Sequence, residues 1–196
     1  AKMESDEKKR LVKVGQKHGA FVLGSLSLWG TSDYWAAESG LVLALGLALI
    51  NSIVAGTIIA SILHEWGHFL GARLSGSNAP LLEKTFSFFF FNFKDEGNSK
   101  GQFLKMSLGG PIANWALVVG FFFLLPLETW SQMLLLATLL SIAVSVSIFE
   151  VPVMLRIREG EPSAIIQKRL EEAGSTPRNI GILAGALGAI FWMLTA

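Results

Sequence analysis

The residues of this chain with the clearest chemical potential lie in the segment 61–70, whose sequence is SILHEWGHFL. His64, Glu65 and His68 form the pattern H-E-x-x-H, and on an α-helix positions i and i+4 lie on one face, about 6 Å apart along the axis. Two neutral imidazoles at that spacing can hold Zn²⁺, while the glutamate takes a proton from the water that attacks an amide. The pattern therefore predicts His64 and His68 as metal ligands and Glu65 as a catalytic base. The alternative is two histidines that only pack or hydrogen-bond inside a helix bundle.

The segment that leads into this pattern is long and apolar enough to cross a bilayer. Residues 41–63 contain no charged side chain, and a transmembrane helix needs about 20 apolar residues. The chain of 196 residues is 52% hydrophobic with a mean hydropathy of +0.52, which is typical of membrane proteins. The net charge of +1 gives no reason to expect nucleic acid as a partner. The absence of cysteine excludes disulfides and thiolate zinc sites.

Five apolar segments organise the chain as a single membrane domain, 1–196. We predict an all-α integral membrane protein with about five transmembrane helices and a small membrane-associated β-hairpin. Residues 1–17 are predicted to be a cytoplasmic tail, and 178–196 a C-terminal transmembrane segment. The first span has a short apolar part, so a re-entrant segment is the alternative there. The predicted spans are 18–37, 41–74, 109–127, 132–155 and 179–195.

Residues 77–107 differ in kind from the spans. The turn-rich segment 94–98 separates a phenylalanine-rich stretch from a possible second strand at 102–105. This pattern predicts a β-hairpin against the membrane, either as a structural cap or as an edge that pairs with an extended substrate. Residues 162–173 are predicted to form an amphipathic surface helix. The alternating phenylalanines of the first strand are Phe86, Phe88 and Phe90.

All 16 Lys and Arg residues fall in three segments of the chain, 2–17, 73–105 and 156–178. With five spans these segments lie on one side of the membrane, and the turns near 31–40 and 126–131 contain none. The positive-inside rule makes the basic side cytoplasmic, which predicts a multi-pass protein with a cytoplasmic N-terminus. It also favours crossing by the first segment, because otherwise the basic tail would lie on the opposite side.

Two acidic residues, Glu65 and Glu150, are the only ones that we place within apolar spans. Both lie near the predicted cytoplasmic ends of their spans, since Arg73 and Arg156 follow closely in sequence. An unpaired carboxylate in lipid is unfavourable by several kcal/mol. One metal site that uses both residues would give each carboxylate a partner.

Two stretches resemble the site-2 protease family of intramembrane zinc metalloproteases. The first is HEWGHFLGAR at 64–73, and the second is GPIAN at 110–114, which is similar to the family's G-P-x-x-N element. The order of metal helix, hairpin, G-P-x-x-N span and ligand-bearing span is also similar, so the resemblance covers a metalloprotease-like core at 41–157. It implies hydrolysis of a peptide bond of a transmembrane substrate near the cytoplasmic face. It also implies zinc held by two histidines and one acid, and a role for Asn114 in positioning the substrate backbone or the site.

The third ligand departs from the family pattern, in which an L-D-G motif usually supplies it. The fourth span contains no Asp-Gly, and IFEVP at 148–152 stands in that region, so Glu150 is the candidate metal ligand. Two histidines and one glutamate are established zinc ligands. Glu159 and Glu161 are the alternatives, although they lie beyond the basic residues that end the span. Asn114 also has an alternative role, as a hydrogen-bonding residue between helices.

Two classes of function follow from these residues. The motif and the resemblance predict an enzyme, a zinc metalloendopeptidase with Zn²⁺ as cofactor and a transmembrane protein and the lipid bilayer as partners. The alternative is a non-proteolytic subunit of the same fold that acts as a binding or assembly partner in a membrane complex. Glu65 favours the enzyme, because a structural zinc site has no use for a base, whereas the missing Asp-Gly favours the subunit.

Overall fold

The computed structural model of the chain describes residues 2–82, 89–93, 97–159 and 172–195, with the backbone alone for 2–5. The prediction of an all-α protein is confirmed for this part of the chain. The predicted surface helix at 162–173 lies outside the described residues except for 172–173. The helices are α1 (Lys2–Ser39), α2 (Val42–Leu74), α3 (Lys100–Leu124), α4 (Trp130–Glu159) and α5 (Thr176–Thr195).

Helices α2 to α5 are each long and apolar enough to cross a membrane. They correspond to the second to fifth predicted spans, although α3 begins nine residues before the predicted residue 109. Large apolar side chains such as Leu43, Leu124 and Leu194 remain exposed on the outer faces. That exposure suits helices solvated by lipid, because burial of apolar side chains does not drive the association of helices in a membrane.

Helix α1 is continuous from its charged start to its aromatic end, and it runs antiparallel to α2. Glu7 near its start forms an ion pair with Arg73 in the last turn of α2. Ser32 near its end accepts a hydrogen bond from Asn51 Nδ2 at 3.1 Å, in the first half of α2. Helix α1 therefore has the direction and length needed to cross beside α2, although it is less apolar than the four spans. Its crossing stays a prediction.

The far end of α1 contacts the connection between α3 and α4. Asp33, which the sequence placed in a turn, lies within α1 and is only 9% exposed. Its carboxylate accepts hydrogen bonds from Thr129 Oγ1 at 2.7 Å and Gln132 Nε2 at 3.2 Å. At the opposite end of the bundle, Lys100 donates to the carbonyl oxygen of Arg158. The α3–α4 connection therefore lies at one end of the bundle, and the charged end of α2, the start of α3 and the end of α4 lie at the other.

A buried hydrogen-bond network sets the register of three helices. The indole of Trp29 in α1 donates to Ser131 Oγ in α4 at 2.7 Å. Ser52 Oγ in α2 lies 3.1 Å from Ser131 Oγ and 2.9 Å from the Ser131 carbonyl oxygen. Because α2 and α4 run in the same direction from this contact, the H-E-x-x-H turn of α2 comes level with the second half of α4.

Helices α2 and α3 approach until their backbones touch. Gly67 faces Gly109, and Gly71 faces the carbonyl oxygen of Lys105; a Cβ at any of these glycines would overlap backbone atoms of the opposite helix. Small residues four positions apart allow such close packing of membrane helices. By contrast, a Cβ at Gly120 would meet nothing within 4 Å. The close contact at Gly67, Gly71 and Gly109 thus lies at the end of α2 that carries the motif.

The predicted β-hairpin is not formed by the residues that the structure describes between α2 and α3. One isolated antiparallel bridge joins Leu81 and Phe91, and Leu82 N–H donates to the Phe90 carbonyl oxygen at 2.8 Å. Phe86 and Phe88 lie outside the described residues. The pairing that is described is thus a single bridge beside the membrane helices.

The prediction of a second strand at 102–105 is wrong, because these residues form the first turns of α3. Gln102 N–H donates to Ser99 Oγ at 3.2 Å, and Ser99 N–H donates to Gln102 Oε1 at 2.7 Å. This reciprocal pair is a capping box, which satisfies two backbone donors at a helix start. The S-x-x-Q spacing starts a helix here, and the apparent alternation of polar and apolar residues does not make a strand.

The membrane topology can be tested with single cysteines, because the chain has none of its own. We expect cysteines at the exposed positions Lys9 and Ser175 to react with a membrane-impermeant maleimide only from the cytoplasmic side. A cysteine at the exposed Glu128 should react only from the opposite side. Labelling of residues 9 and 128 from the same side of intact and inverted vesicles would show that α1 does not cross.

Candidate metal centre

Two helices bring three potential metal ligands together at the charged end of the bundle. His64 and His68 lie one turn apart on α2, and Glu150 lies in the second half of α4. Glu150 Oε1 is 3.1 Å from His64 Nε2 and 3.6 Å from His68 Nε2, and the two Nε2 atoms are 2.9 Å apart. The three side chains are partly buried, and one ligand atom from each lies within 4.8 Å of the others. This group could hold a metal ion.

The separations fit a tetrahedral ion with an open position. Ligand atoms about 2.1 Å from a tetrahedral ion lie about 3.4 Å from one another, and the three measured separations bracket that value. Three protein ligands leave the fourth position for water or substrate, as in catalytic rather than structural sites. Glu150 Oε2 is buried without a hydrogen-bond partner. A cation between the three side chains would satisfy the charge of this carboxylate.

Helix α3 contacts the outer nitrogen of both imidazoles. His68 Nδ1 lies 2.9 Å from the carbonyl oxygen of Met106, and His64 Nδ1 lies 3.3 Å from Asn114 Nδ2. A histidine that binds a metal through Nε2 carries its proton on Nδ1 and donates it to an acceptor. Met106 provides that acceptor for His68. Helix α3 thus contacts both imidazoles of the potential metal group from the side away from Glu150.

Asn114 has the atom needed to do the same for His64. The residue is 2% exposed, and its Oδ1 is buried without a partner. A half-turn of the amide exchanges Oδ1 and Nδ2, which have nearly the same shape. Oδ1 then accepts the Nδ1–H of His64 and gains its missing hydrogen bond. In that orientation Asn114 would hold the imidazole of His64; its predicted role in positioning the substrate backbone or the site stays a prediction.

Gly110 lets α3 pass directly against the two histidines. A Cβ at this position would overlap the imidazoles of both His64 and His68. Pro111 follows it inside α3, where both residues are buried. From the sequence, Gly110 could only be assigned to the G-P-x-x-N element or to helix packing. The structure shows that its missing side chain makes room for the imidazoles of His64 and His68.

Glu65 lies between the two histidines on α2 and is half-buried. Its carboxylate lies within electrostatic range of His64, His68 and Glu150. Glu159, an alternative third ligand, lies in the exposed last turn of α4, nine residues or about 13 Å along the axis from Glu150. Glu161, the other alternative, lies outside the described residues. Of the acids that were considered, the structure places Glu150 against the histidines.

Two residues that contribute to the centre were not found from the sequence. The contact of the Met106 carbonyl could not be predicted from the sequence, because every residue has a backbone carbonyl. The contact of Gly110 with the histidines depends on the separation of α2 and α3, which the paired glycine spacings on the two helices could have indicated.

Comparison with known proteins gives no further guide to this centre. No protein-family model, curated protein or solved structure matches the chain.

The third ligand can be tested by metal analysis. We expect Glu150→Ala to weaken Zn²⁺ binding by about 100-fold or more, because the group falls to two protein ligands. Glu150→Asp should weaken binding less, since the carboxylate remains on a shorter side chain. Glu159→Ala is the matched control on the same helix and should bind normally. Unchanged affinity in Glu150→Ala, measured by competition with a chelator, would exclude it as a ligand.

The role of Asn114 can be tested in the same assay. Asn114→Leu keeps the size of the side chain and removes the acceptor for His64, so we expect about 10- to 100-fold weaker Zn²⁺ binding. Asn114→Asp keeps an acceptor oxygen and should bind close to normally. If the leucine variant binds Zn²⁺ as tightly as the unchanged protein, Asn114 does not orient His64.

Proposed function

We propose that the protein is an intramembrane zinc metalloprotease that hydrolyses a peptide bond of a transmembrane substrate near the cytoplasmic face. The observation that carries the proposal is the convergence of Glu150 on His64 and His68, with Glu65 between the histidines on the same helix. Two imidazoles and one carboxylate are the ligand set of a catalytic zinc with an open position. An acid that neighbours two such ligands on the same helix can serve as a general base.

The protein residues divide the work of hydrolysis. Zinc bound to His64, His68 and Glu150 would supply Lewis-acid polarisation of a carbonyl and a water of lowered pKa. Glu65 holds the attacking water and accepts its proton, then returns a proton to the leaving amine. Met106 and Asn114 keep the imidazoles oriented throughout. The close contact of Gly67 with Gly109 holds α3 near enough for them to do so.

The position of the group in the bundle supports a substrate from the membrane. His64 and His68 lie in the last three turns of α2, close to the charged end that contains Arg73. A transmembrane helix has its amides hydrogen-bonded internally, so the cleaved segment must unwind before attack. A site close to one membrane surface can admit water and an unwound segment without opening the bundle to the other side. The one-sided basic charge makes that surface the cytoplasmic one.

A non-proteolytic membrane subunit is the second candidate. The observation that favours it is the structural role of the same contacts, because Glu150 joins α4 to α2 through both histidines whether or not hydrolysis occurs. In that case Glu65 would have no chemical task, and its replacement by a neutral residue would have little effect. The two candidates therefore differ in what they require of Glu65.

The base can be tested with Glu65→Gln. We expect this variant to keep its zinc, because Glu65 is not a ligand, and to lose about 10²- to 10⁴-fold in cleavage rate. Cleavage is measured by mass spectrometry on a defined mixture of synthetic peptides with the purified protein in detergent. Glu38→Gln changes an exposed acid at the far end of α1 and should cleave normally. Full activity in Glu65→Gln would contradict the mechanism.

A further inference from the structure

A small cavity opens beside the metal centre between α3 and α4. It has a volume of about 180 Å³, and His68 and Glu150 form one side of it. Helix α3 contributes Phe103 and Met106 to the wall, and α4 contributes Phe149, Val153 and Met154. The position matters because two of the three potential ligands border the space. A group that enters the cavity lies next to the atoms that would be hydrolysed.

The lining of the cavity selects for apolar groups. Among the residues that the structure describes, the lining has one polar side chain besides His68 and Glu150, the hydroxyl of Ser107. Phe103, Val153 and Met154 are all buried, so a charged group placed among them would lose its hydration without gaining a partner. An anion would also meet the carboxylate of Glu150. Glu150 is the one acid that the structure describes on the wall, and its charge would be shared with the two histidines and neutralised by a metal bound between them.

The volume limits the occupant to a single side chain. An engineered apolar cavity of about 150 Å³ holds one benzene molecule, whereas sites for drug-sized ligands measure about 300–1,000 Å³. The 180 Å³ found here is therefore suited to one leucine, methionine or phenylalanine side chain. It is too small for a complete cofactor or for a second helix.

We propose that this cavity binds the apolar side chain of a substrate residue that flanks the cleaved bond, and so determines which bonds are cut. The proposal rests on the proteolytic function proposed above. The substrates are then membrane segments that have leucine, methionine or phenylalanine next to an unwound peptide bond. Burial of that side chain anchors the unwound segment against His68 and Glu150. Met154 is one of the buried residues that line the cavity, so a larger side chain there would reduce its volume.

The first experiment measures cleavage specificity on the same synthetic peptide mixture. The unchanged protein should cut next to leucine, methionine or phenylalanine. Met154→Trp fills the cavity and should shift cleavage toward alanine and glycine by about tenfold or more in kcat/KM. Leu155→Trp is the matched control, because Leu155 is 49% exposed on the outer face whereas Met154 is 6% exposed. Zinc content is measured for both variants to confirm that the centre is intact.

The second experiment detects the cavity without any cleavage. A cysteine replaces Val153, which lines the cavity and is 6% exposed, or Val151, which is 41% exposed on the same helix. Benzyl methanethiosulfonate is compared with its anionic sulfonatoethyl and cationic trimethylammonium-ethyl analogues. We expect the benzyl-to-charged rate ratio at Val153→Cys to exceed that at Val151→Cys by about tenfold. Addition of Met154→Trp, but not Leu155→Trp, should remove the excess.

The outcomes separate the two proposals. Cleavage by the unchanged protein without apolar preference, or with the same preference in Met154→Trp, overturns the cavity proposal and leaves the protease. No cleavage of any peptide counts against the protease, and the cysteine experiment then decides whether the cavity takes an apolar group. Equal rate ratios at positions 153 and 151, or preferential reaction with a charged reagent, overturn the cavity proposal directly.

Discussion

The contact between ionisable side chains inside an apolar bundle constrains how the helices of this protein can pack. Glu150, His64 and His68 lie within helices whose surroundings offer few other polar partners. A lone carboxylate there would be unfavourable by several kcal/mol, whereas here two imidazoles contact one of its oxygens, Oε1. Helices α2 and α4 must therefore keep the register that brings these groups level. The buried contact between Ser52 and Ser131 holds the same register from the other half of the bundle.

Different helices contribute different groups to the candidate metal centre. Helices α2 and α4 provide the atoms that could bind a metal, and α3 provides the Met106 carbonyl and the Asn114 amide that contact the outer nitrogens of the imidazoles. Such outer contacts fix both the tautomer and the direction of a histidine. Because each helix performs one task, a shift of α3 would disturb the ligands without removing any of them. The same helix also forms one wall of the apolar cavity.

Much of this arrangement could be predicted from local sequence. The spacing of His64 and His68 predicted their common helical face, and the scarcity of acids in apolar segments pointed to Glu150. One local signal was misread, because the capping pair of Ser99 and Gln102 shows that a short polar pattern can outweigh an apparent strand pattern. Contacts between distant segments were not predictable from local sequence. The contact of Asn114 with His64 depends on how closely α2 and α3 pack. That separation cannot be predicted from the sequence of either helix alone.

The backbone contact between α2 and α3 also has a consequence for how the sequence can vary over evolution. At Gly67, Gly71 and Gly109 no side chain takes part in the contact, yet any larger residue would push the helices apart. Selection should therefore be strictest at positions that perform no chemistry, while lipid-facing residues such as Leu43 and Leu124 drift among apolar types. In a set of related sequences, invariant glycines four positions apart would identify this architecture even where the acidic ligand had changed.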